Sequence, residues 1–175
     1  MYIFLYVLAG IVLLVVLLGI IAPTKYHVFR EIIINKPKAE VFEHIKYLKK
    51  LDVWSPWRKK DLNMKKVYKG TDGEVGAITS WVGNKEVGEG EQEITKIIEG
   101  ERVEGELRFF KPFKATSDCY FQVDEISATE TKVTWGFSGK NKFPISIMML
   151  FMNMDKSVGK DFEEGLERLK GILEG

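Results

Sequence analysis

Residue types that would point to a particular chemistry are scarce in this sequence. Its 175 residues include one cysteine, Cys119, and two histidines, His27 and His44. A lone cysteine excludes an internal disulfide, and neither histidine has a metal-ligand spacing with the other or with Cys119. The 26 basic and 25 acidic residues nearly balance, so no overall field attracts nucleic acid. We therefore expect no metal, no cofactor and no nucleic-acid partner.

Charge is absent from the beginning of the chain. Residues 2–22 are apolar and, at about 1.5 Å per helical residue, reach across a hydrocarbon core of roughly 30 Å. A cleaved signal peptide would need a basic start, a shorter apolar run and a small-residue cleavage site, and none is evident. We expect residues 1–23 to be a single membrane anchor and residues 24–175 one globular domain. Lys25 and Arg30 follow the anchor directly, which favours a cytoplasmic location for that domain.

Residue periodicity after the anchor predicts one strand, two short helices, six more strands and a long final helix. Residues 26–35 alternate as a strand, and short helices are predicted to begin at Pro37 and over residues 52–57. The six further strands are predicted at residues 64–69, 75–82, 86–98, 102–110, 114–125 and 131–139. Residues 144–174 have a helical period with one apolar face. This order predicts an α+β fold in which an antiparallel sheet wraps around the last helix.

A set of short segments spread over most of the chain after the anchor forms a more specific pattern. They are Trp54-Ser55-Pro56-Trp57 with Asp61, Tyr68-Lys69-Gly70, Trp81-Val82-Gly83-Asn84 with Val87-Gly88-Glu89-Gly90, Lys111-Pro112-Phe113, Thr131-Lys132-Val133-Thr134-Trp135, and Met154-Asp155 with Gly159-Lys160-Asp161-Phe162-Glu163. Together they resemble the START-like, or Bet v 1-like (SRPBCC), superfamily, and specifically its polyketide cyclase/dehydrase-type branch.

This resemblance implies a helix-grip fold, in which a seven-stranded antiparallel sheet closes over the C-terminal helix. It also implies a hydrophobic cavity between sheet and helix. Members of the superfamily bind or carry lipophilic molecules, and some catalyse ring closure. A shared fold does not fix the chemistry, so the name of the branch does not decide the activity.

Large apolar side chains on alternate positions of the predicted strands also indicate a cavity, faced by methionines of the final helix. The candidate ligand-binding residues are Trp54, Trp57, Tyr68, Trp81, Phe109, Phe121, Trp135, Phe137, Met148 and Met152. Each aromatic residue taken alone favours core packing. As a group on this fold, they favour a pocket.

Trp54 and Trp57 lie in the densest basic stretch of the chain, residues 46–66. Three interpretations remain open: a tryptophan packs into the core beneath solvated lysines, the stretch rests on an anionic membrane, or it stacks on single-stranded nucleic acid. Packing ranks first and membrane contact second, because the anchor holds the domain at the bilayer. Nucleic acid ranks last, since Asp52 and Asp61 weaken the basic field.

Residues suited to catalysis are few, and no phosphate loop, nucleophile motif or paired-cysteine site is present. Glu89, Glu91 and Glu93 share one face of a predicted strand and would repel one another if buried, so a solvated face is expected. Glu91 is the one weak catalytic candidate, as a general base if it faces the cavity. We favour a membrane-anchored binding module for a lipid, quinone or polyketide-like molecule. The alternatives are a cyclase/dehydrase-like or hydrolytic enzyme and a protein-interaction domain without a ligand.

Overall fold

The computed structural model describes residues 2–151 and 153–175 and begins with an exposed apolar helix, α1 (Tyr2–Ile21). At 20 residues, α1 is about 30 Å long, and its length and composition fit a membrane span. Only residues 22–24 separate it from the first strand of the sheet. The folded domain therefore starts immediately where the apolar helix ends.

The remaining elements follow the predicted order of one strand, small helices, six strands and a C-terminal helix. The strands are β1 (Lys25–Ile34), β2 (Lys65–Lys69), β3 (Ile78–Val82), β4 (Glu89–Ile98), β5 (Arg102–Lys111), β6 (Ala115–Ser127) and β7 (Glu130–Lys140). The helices are α2 (Lys38–Lys46), α3 (Leu48–Trp54), α4 (Trp57–Lys60), α5 (Ile145–Met148) and α6 (Met154–Glu174). The predicted α+β helix-grip fold is confirmed.

All seven strands form one antiparallel sheet in the order β1-β7-β6-β5-β4-β3-β2. The register pairs Lys25 with Lys140 and Phe109 with Ala115. The start of β1, the end of β7 and the β5–β6 hairpin therefore lie at the same end of the sheet. We call it the α1 end, because β1 leaves α1 there, and the opposite end, with the β6–β7 hairpin, the far end.

Helix α6 lies across the concave face of the sheet and supplies one side of the core. Its buried residues Phe162, Leu166, Leu169 and Leu173 recur every three or four positions, as the helical period predicts. The single helical segment expected over residues 144–174 is divided, however. Asn153 has an extended backbone and its side chain caps α6 by accepting from the Lys156 amide at 2.9 Å, so α6 begins only at residue 154.

An arginine of β1 fixes the first turns of α6 to the sheet. Arg30 donates from Nε to Glu163 at 2.5 Å and from Nη1 to Asp155 at 2.9 Å. These bonds raise the pKa of Arg30, and the bond from Arg30 lowers the pKa of Asp155. The first turns of α6 are thus held by charged contacts in addition to the apolar contacts of Met154 and Val158 with the core.

Candidate ligand-binding site

Four aromatic rings cross the concave face of the sheet at the α1 end. They belong to Tyr26 of β1, Phe137 of β7, Phe109 of β5 and Trp81 of β3. Successive ring centroids lie 5.3, 6.4 and 6.0 Å apart, at tilted or edge-to-face angles. We call these four residues the aromatic row, and they form a continuous apolar strip across most of the sheet.

The strands between these rings carry small residues that leave room for them. A Cβ atom on Gly90 of β4 would lie 2.6 Å from Cζ2 of Trp81, so this position requires glycine. Ser117 of β6 forms a 2.7 Å hydrogen bond with the Tyr26 hydroxyl, which gives that ring a polar partner beneath it. Alternating large and small residues therefore set the rings side by side on the sheet.

The aromatic side chains on the concave face divide into a packed group and a half-buried group. Trp54, Phe121 and Trp135 lie in the core and are at most 4% exposed. Trp135 stacks on Phe162 of α6 with ring centroids 4.1 Å apart. In the aromatic row only Phe137 is buried, whereas Tyr26, Trp81 and Phe109 are partly open.

Trp54 and Trp57 both point into the domain, as the packing interpretation expects. Trp54 is 1% exposed and meets Trp135 edge-on at 5.3 Å. Trp57 is half-buried and meets Trp135 at 5.6 Å and Phe162 at 6.3 Å. The Trp54 ring is therefore enclosed, whereas Trp57 lies at the boundary between the packed core and the open part of the concave face.

Tyr68 stands apart from the aromatic row, in a polar cluster at the β2 edge. Its hydroxyl donates to the buried carboxylate of Asp52, which also accepts from the ammonium group of Lys66. Burial, followed by the bond to Asp52, raises the pKa of Tyr68. These bonds connect α3 to β2. The Tyr68 hydroxyl is used in the bond to Asp52.

The described residues do not test the two candidate methionines. Met148 ends α5, its side chain is not among the described ones, and Met152 lies outside the described residues. The side chains that α6 adds to this region are Met154 and Val158, both partly buried against the core. Sequence reasoning also missed Tyr26, although it lies two positions before Val28 and therefore on the same, concave face of β1.

Glu91 lies on the outer, convex face of the sheet. Its carboxylate accepts from Nε of Arg108 at 2.6 Å, and the same guanidinium group binds Glu93 at 2.7 Å and Glu106 at 2.6 Å. These three carboxylates raise the pKa of Arg108. The condition for Glu91 to act as a base, that it face the cavity, is therefore not met.

Two recesses accompany this arrangement, and they differ greatly in size. A void of about 10 Å³, room for one water, lies between the α2–α3 helices and strands β4–β6. An open groove of about 460 Å³ lies at the α1 end, against β1, β6 and β7. The side chains that line it belong to the outer face of the sheet, because His27, Ser138 and Asp118 pair with one another one position away from the concave-face residues. They are Lys25, His27, Asp118, Ser138 and Lys140. On the concave face, the far half is filled with side chains, and the accessible surface is the open part of Tyr26, Trp81 and Phe109.

Comparison with known proteins relates this chain to others by fold. No protein-family model matches the sequence, and no curated protein matches it. Solved structures do match. A protein from Nitrosospira multiformis is 18% identical with a TM-score of 0.61, covering 85% of this chain and 96% of its own. The ginseng major latex-like protein 151 from Panax ginseng is 13% identical with a TM-score of 0.62, covering 86% and 99%.

A third similar structure is Ara h 8.0201, 10% identical with a TM-score of 0.57, covering 85% of this chain and 97% of its own. At these identities the likeness concerns the fold alone. The latex-like protein and Ara h 8.0201 are Bet v 1-like proteins, and this chain shares their helix-grip architecture.

Proposed function

We propose that this protein is a membrane-anchored binding module for a lipophilic small molecule, a lipid, quinone or polyketide-like compound. Helix α1 is the anchor, residues 24–175 are the binding domain, and the domain lies on the cytoplasmic side. The observation that carries the proposal is the aromatic row, in which Tyr26, Trp81 and Phe109 are partly open on the concave face at the α1 end. The packed core around Trp135 supports the site and does not receive the ligand.

The chemistry of the aromatic row supports a lipophilic ligand. Tyr26, Phe109 and Trp81 present partly open aromatic surface on the concave face. Ser117, which bonds the Tyr26 hydroxyl at 2.7 Å, adds a polar group at one end of the row. Apolar and aromatic side chains with a few polar groups are the usual lining of a small-molecule site.

The position of the aromatic row supports exchange with a bilayer. With only residues 22–24 between α1 and β1, the α1 end stays within about 10 Å of the end of the anchor. An apolar ligand would therefore pass between the membrane and the aromatic row over a short path. A binding role needs no catalytic group, and the one carboxylate considered as a base, that of Glu91, is bound to Arg108 on the opposite face.

A matched pair of substitutions tests this proposal. Phe109→Ala removes a ring of the aromatic row, whereas Phe29→Ala removes a half-exposed ring from the outer face of β1. Burying a phenylalanine against a ligand is worth about 1.5–3 kcal/mol, so Phe109→Ala should weaken binding of an NBD-labelled fatty acid by roughly 10–100-fold. Phe29→Ala should leave the affinity unchanged.

The measurement is a fluorescence titration, and circular dichroism spectra check that both variants stay folded. Equal affinities for wild type and both variants would exclude the aromatic row as the binding surface. If the wild type shows no saturable binding, the result would instead favour a domain that contacts another protein. The filled far half of the concave face is the observation that supports this second function.

A further inference from the structure

The segment between β7 and α6 contacts α1 near the C-terminal end of that helix. Its residue Phe143 packs on Gly19, where a Cβ atom would lie 3.0 Å from the phenylalanine ring. The Asn141 amide donates to the Thr24 carbonyl at 2.8 Å, which holds the same segment beside the α1–β1 connection. Gly19 lies two residues before the end of α1, about 3 Å along the helix axis. The Phe143 ring therefore lies beside the last turn of α1, at the level of Gly19.

Other large apolar side chains at the α1 end are exposed as well. Phe143 is 60% exposed and Phe151, in the same segment, is 78% exposed. On the β5–β6 hairpin at this end of the sheet, Phe113 is 57% exposed and Phe110 is 45% exposed. We call residues 110–114 and 141–151 the rim. Exposed phenylalanines concentrated on one rim are unusual for a surface in contact with water alone.

Basic residues accompany these rings. Lys114 belongs to the hairpin, Lys142 to the second segment, and Lys25 and Lys140 to the adjoining strand ends. All four are exposed, and within residues 2–151 and 153–175 no carboxylate lies within 4.0 Å of their ammonium groups. Lysines near an anionic bilayer surface contribute about 1 kcal/mol each. The rim and the two adjoining strand ends therefore combine exposed apolar side chains with four lysines that have no carboxylate partner among the described residues.

We infer that the rim is a membrane-docking surface, which inserts Phe113 and Phe143 at the level of the acyl-chain boundary and sets its lysines among anionic headgroups. The inference rests on the membrane anchoring proposed above. The contact between Phe143 and Gly19 identifies what covers the rim, because any medium that surrounds the last turn of α1 must also surround Phe143. A bilayer around α1 is continuous with the exposed rings of the rim, and its anionic lipids match the charge.

Docking gives the domain a fixed orientation. A tether of three residues by itself would allow the sheet to tilt freely on the membrane. Contact through both parts of the rim holds the α1 end of the sheet, where the aromatic row lies, against the bilayer. The far end, with the β6–β7 hairpin, then points away from the membrane.

Two labelled variants of the full-length chain test the inference. Phe113→Cys places a label on the rim, and Ile126→Cys places one near the far end of β6, about 40 Å away along the strand. Cys119 is buried and 4% exposed, so it should not react, and labelling of the wild type checks this. Each variant carries an environment-sensitive NBD label and is reconstituted into vesicles of phosphatidylcholine and phosphatidylserine with brominated acyl chains.

Insertion to a depth of about 5–10 Å should quench the label at residue 113 at least about twofold more strongly than the label at residue 126. Omitting phosphatidylserine should reduce the difference. Equal quenching at the two sites, in protein that floats with the vesicles and resists alkaline extraction, would overturn the docking surface while leaving the anchor intact. Protein that fails to float would refute the anchor itself, and the docking surface with it.

Discussion

The packing of α6 on the sheet depends on a glycine at the point of closest approach. A Cβ atom on Gly165 would lie 2.7 Å from Cζ3 of Trp135 and 3.2 Å from Cδ of Pro56. Trp135 cannot retreat, because its ring is stacked on Phe162 at 4.1 Å and lies 5.1 Å from the ring of Phe121. We therefore predict that Gly165→Ala destabilises the domain although alanine favours the helical backbone.

The expected magnitude follows from two opposing effects. Alanine in place of glycine in a helix gains about 1 kcal/mol, whereas overpacking a filled core costs about 1–3 kcal/mol. The net expectation for Gly165→Ala is a loss of about 1 kcal/mol. A Cβ atom on Gly171 of the same helix would have no neighbour within 4 Å, so Gly171→Ala should gain about 0.5 kcal/mol near the end of the helix.

Urea denaturation of residues 24–175, followed by tryptophan fluorescence, measures the difference. The two variants should differ by about 1.5 kcal/mol, or about 0.75 M in urea midpoint at a slope of about 2 kcal/mol per M. All four tryptophans of the protein lie within this segment. If Gly165→Ala were as stable as Gly171→Ala, the close approach of α6 to Trp135 described above would be incorrect.

Two further substitutions probe buried groups. Asp52→Asn should cost about 2–4 kcal/mol, because it leaves the ammonium group of Lys66 without its partner, and Asp52→Asn/Lys66→Met should recover part of that loss. Strictly additive urea midpoints in this double-mutant cycle would contradict the pairing. Cys119 should react with a thiol reagent at pH 8 only through unfolding, since burial raises the pKa of its thiol to about 12. Because the unfolded thiol ionises near 9.0, wild-type stability should fall above pH 9 more steeply than that of Cys119→Ser, and identical pH profiles would contradict this burial.

Much of the fold could be predicted because each strand has a clear period of two. The alternation of Val28 with Phe29, and of Phe121 with Gln122, fixes which face of the sheet is buried. The same alternation correctly indicated that Glu91 belongs to a polar, outward face. The break before α6 was missed, because the sequence stays apolar through residues 149–152 and gives no sign that α5 ends at Met148 or that Asn153 caps a new helix.

The candidate site was less predictable, since strand alternation cannot separate packed rings from accessible ones. Phe121 and Phe109 both face the concave side, yet only Phe121 is covered by the core around Trp54 and Trp135. That distinction depends on where α6 crosses the sheet, which is a contact between residues far apart in sequence. Tyr68 was likewise grouped with the apolar rings, although its hydroxyl is held by Asp52.

The most direct test of the binding role is native mass spectrometry of residues 24–175 purified without detergent, followed by organic extraction. The account predicts one apolar molecule per domain, and Phe109→Ala should lower its occupancy whereas Phe29→Ala should not. A wild-type domain that is empty, and that also fails to bind fluorescent lipid analogues, would contradict the role of the aromatic row as a binding surface.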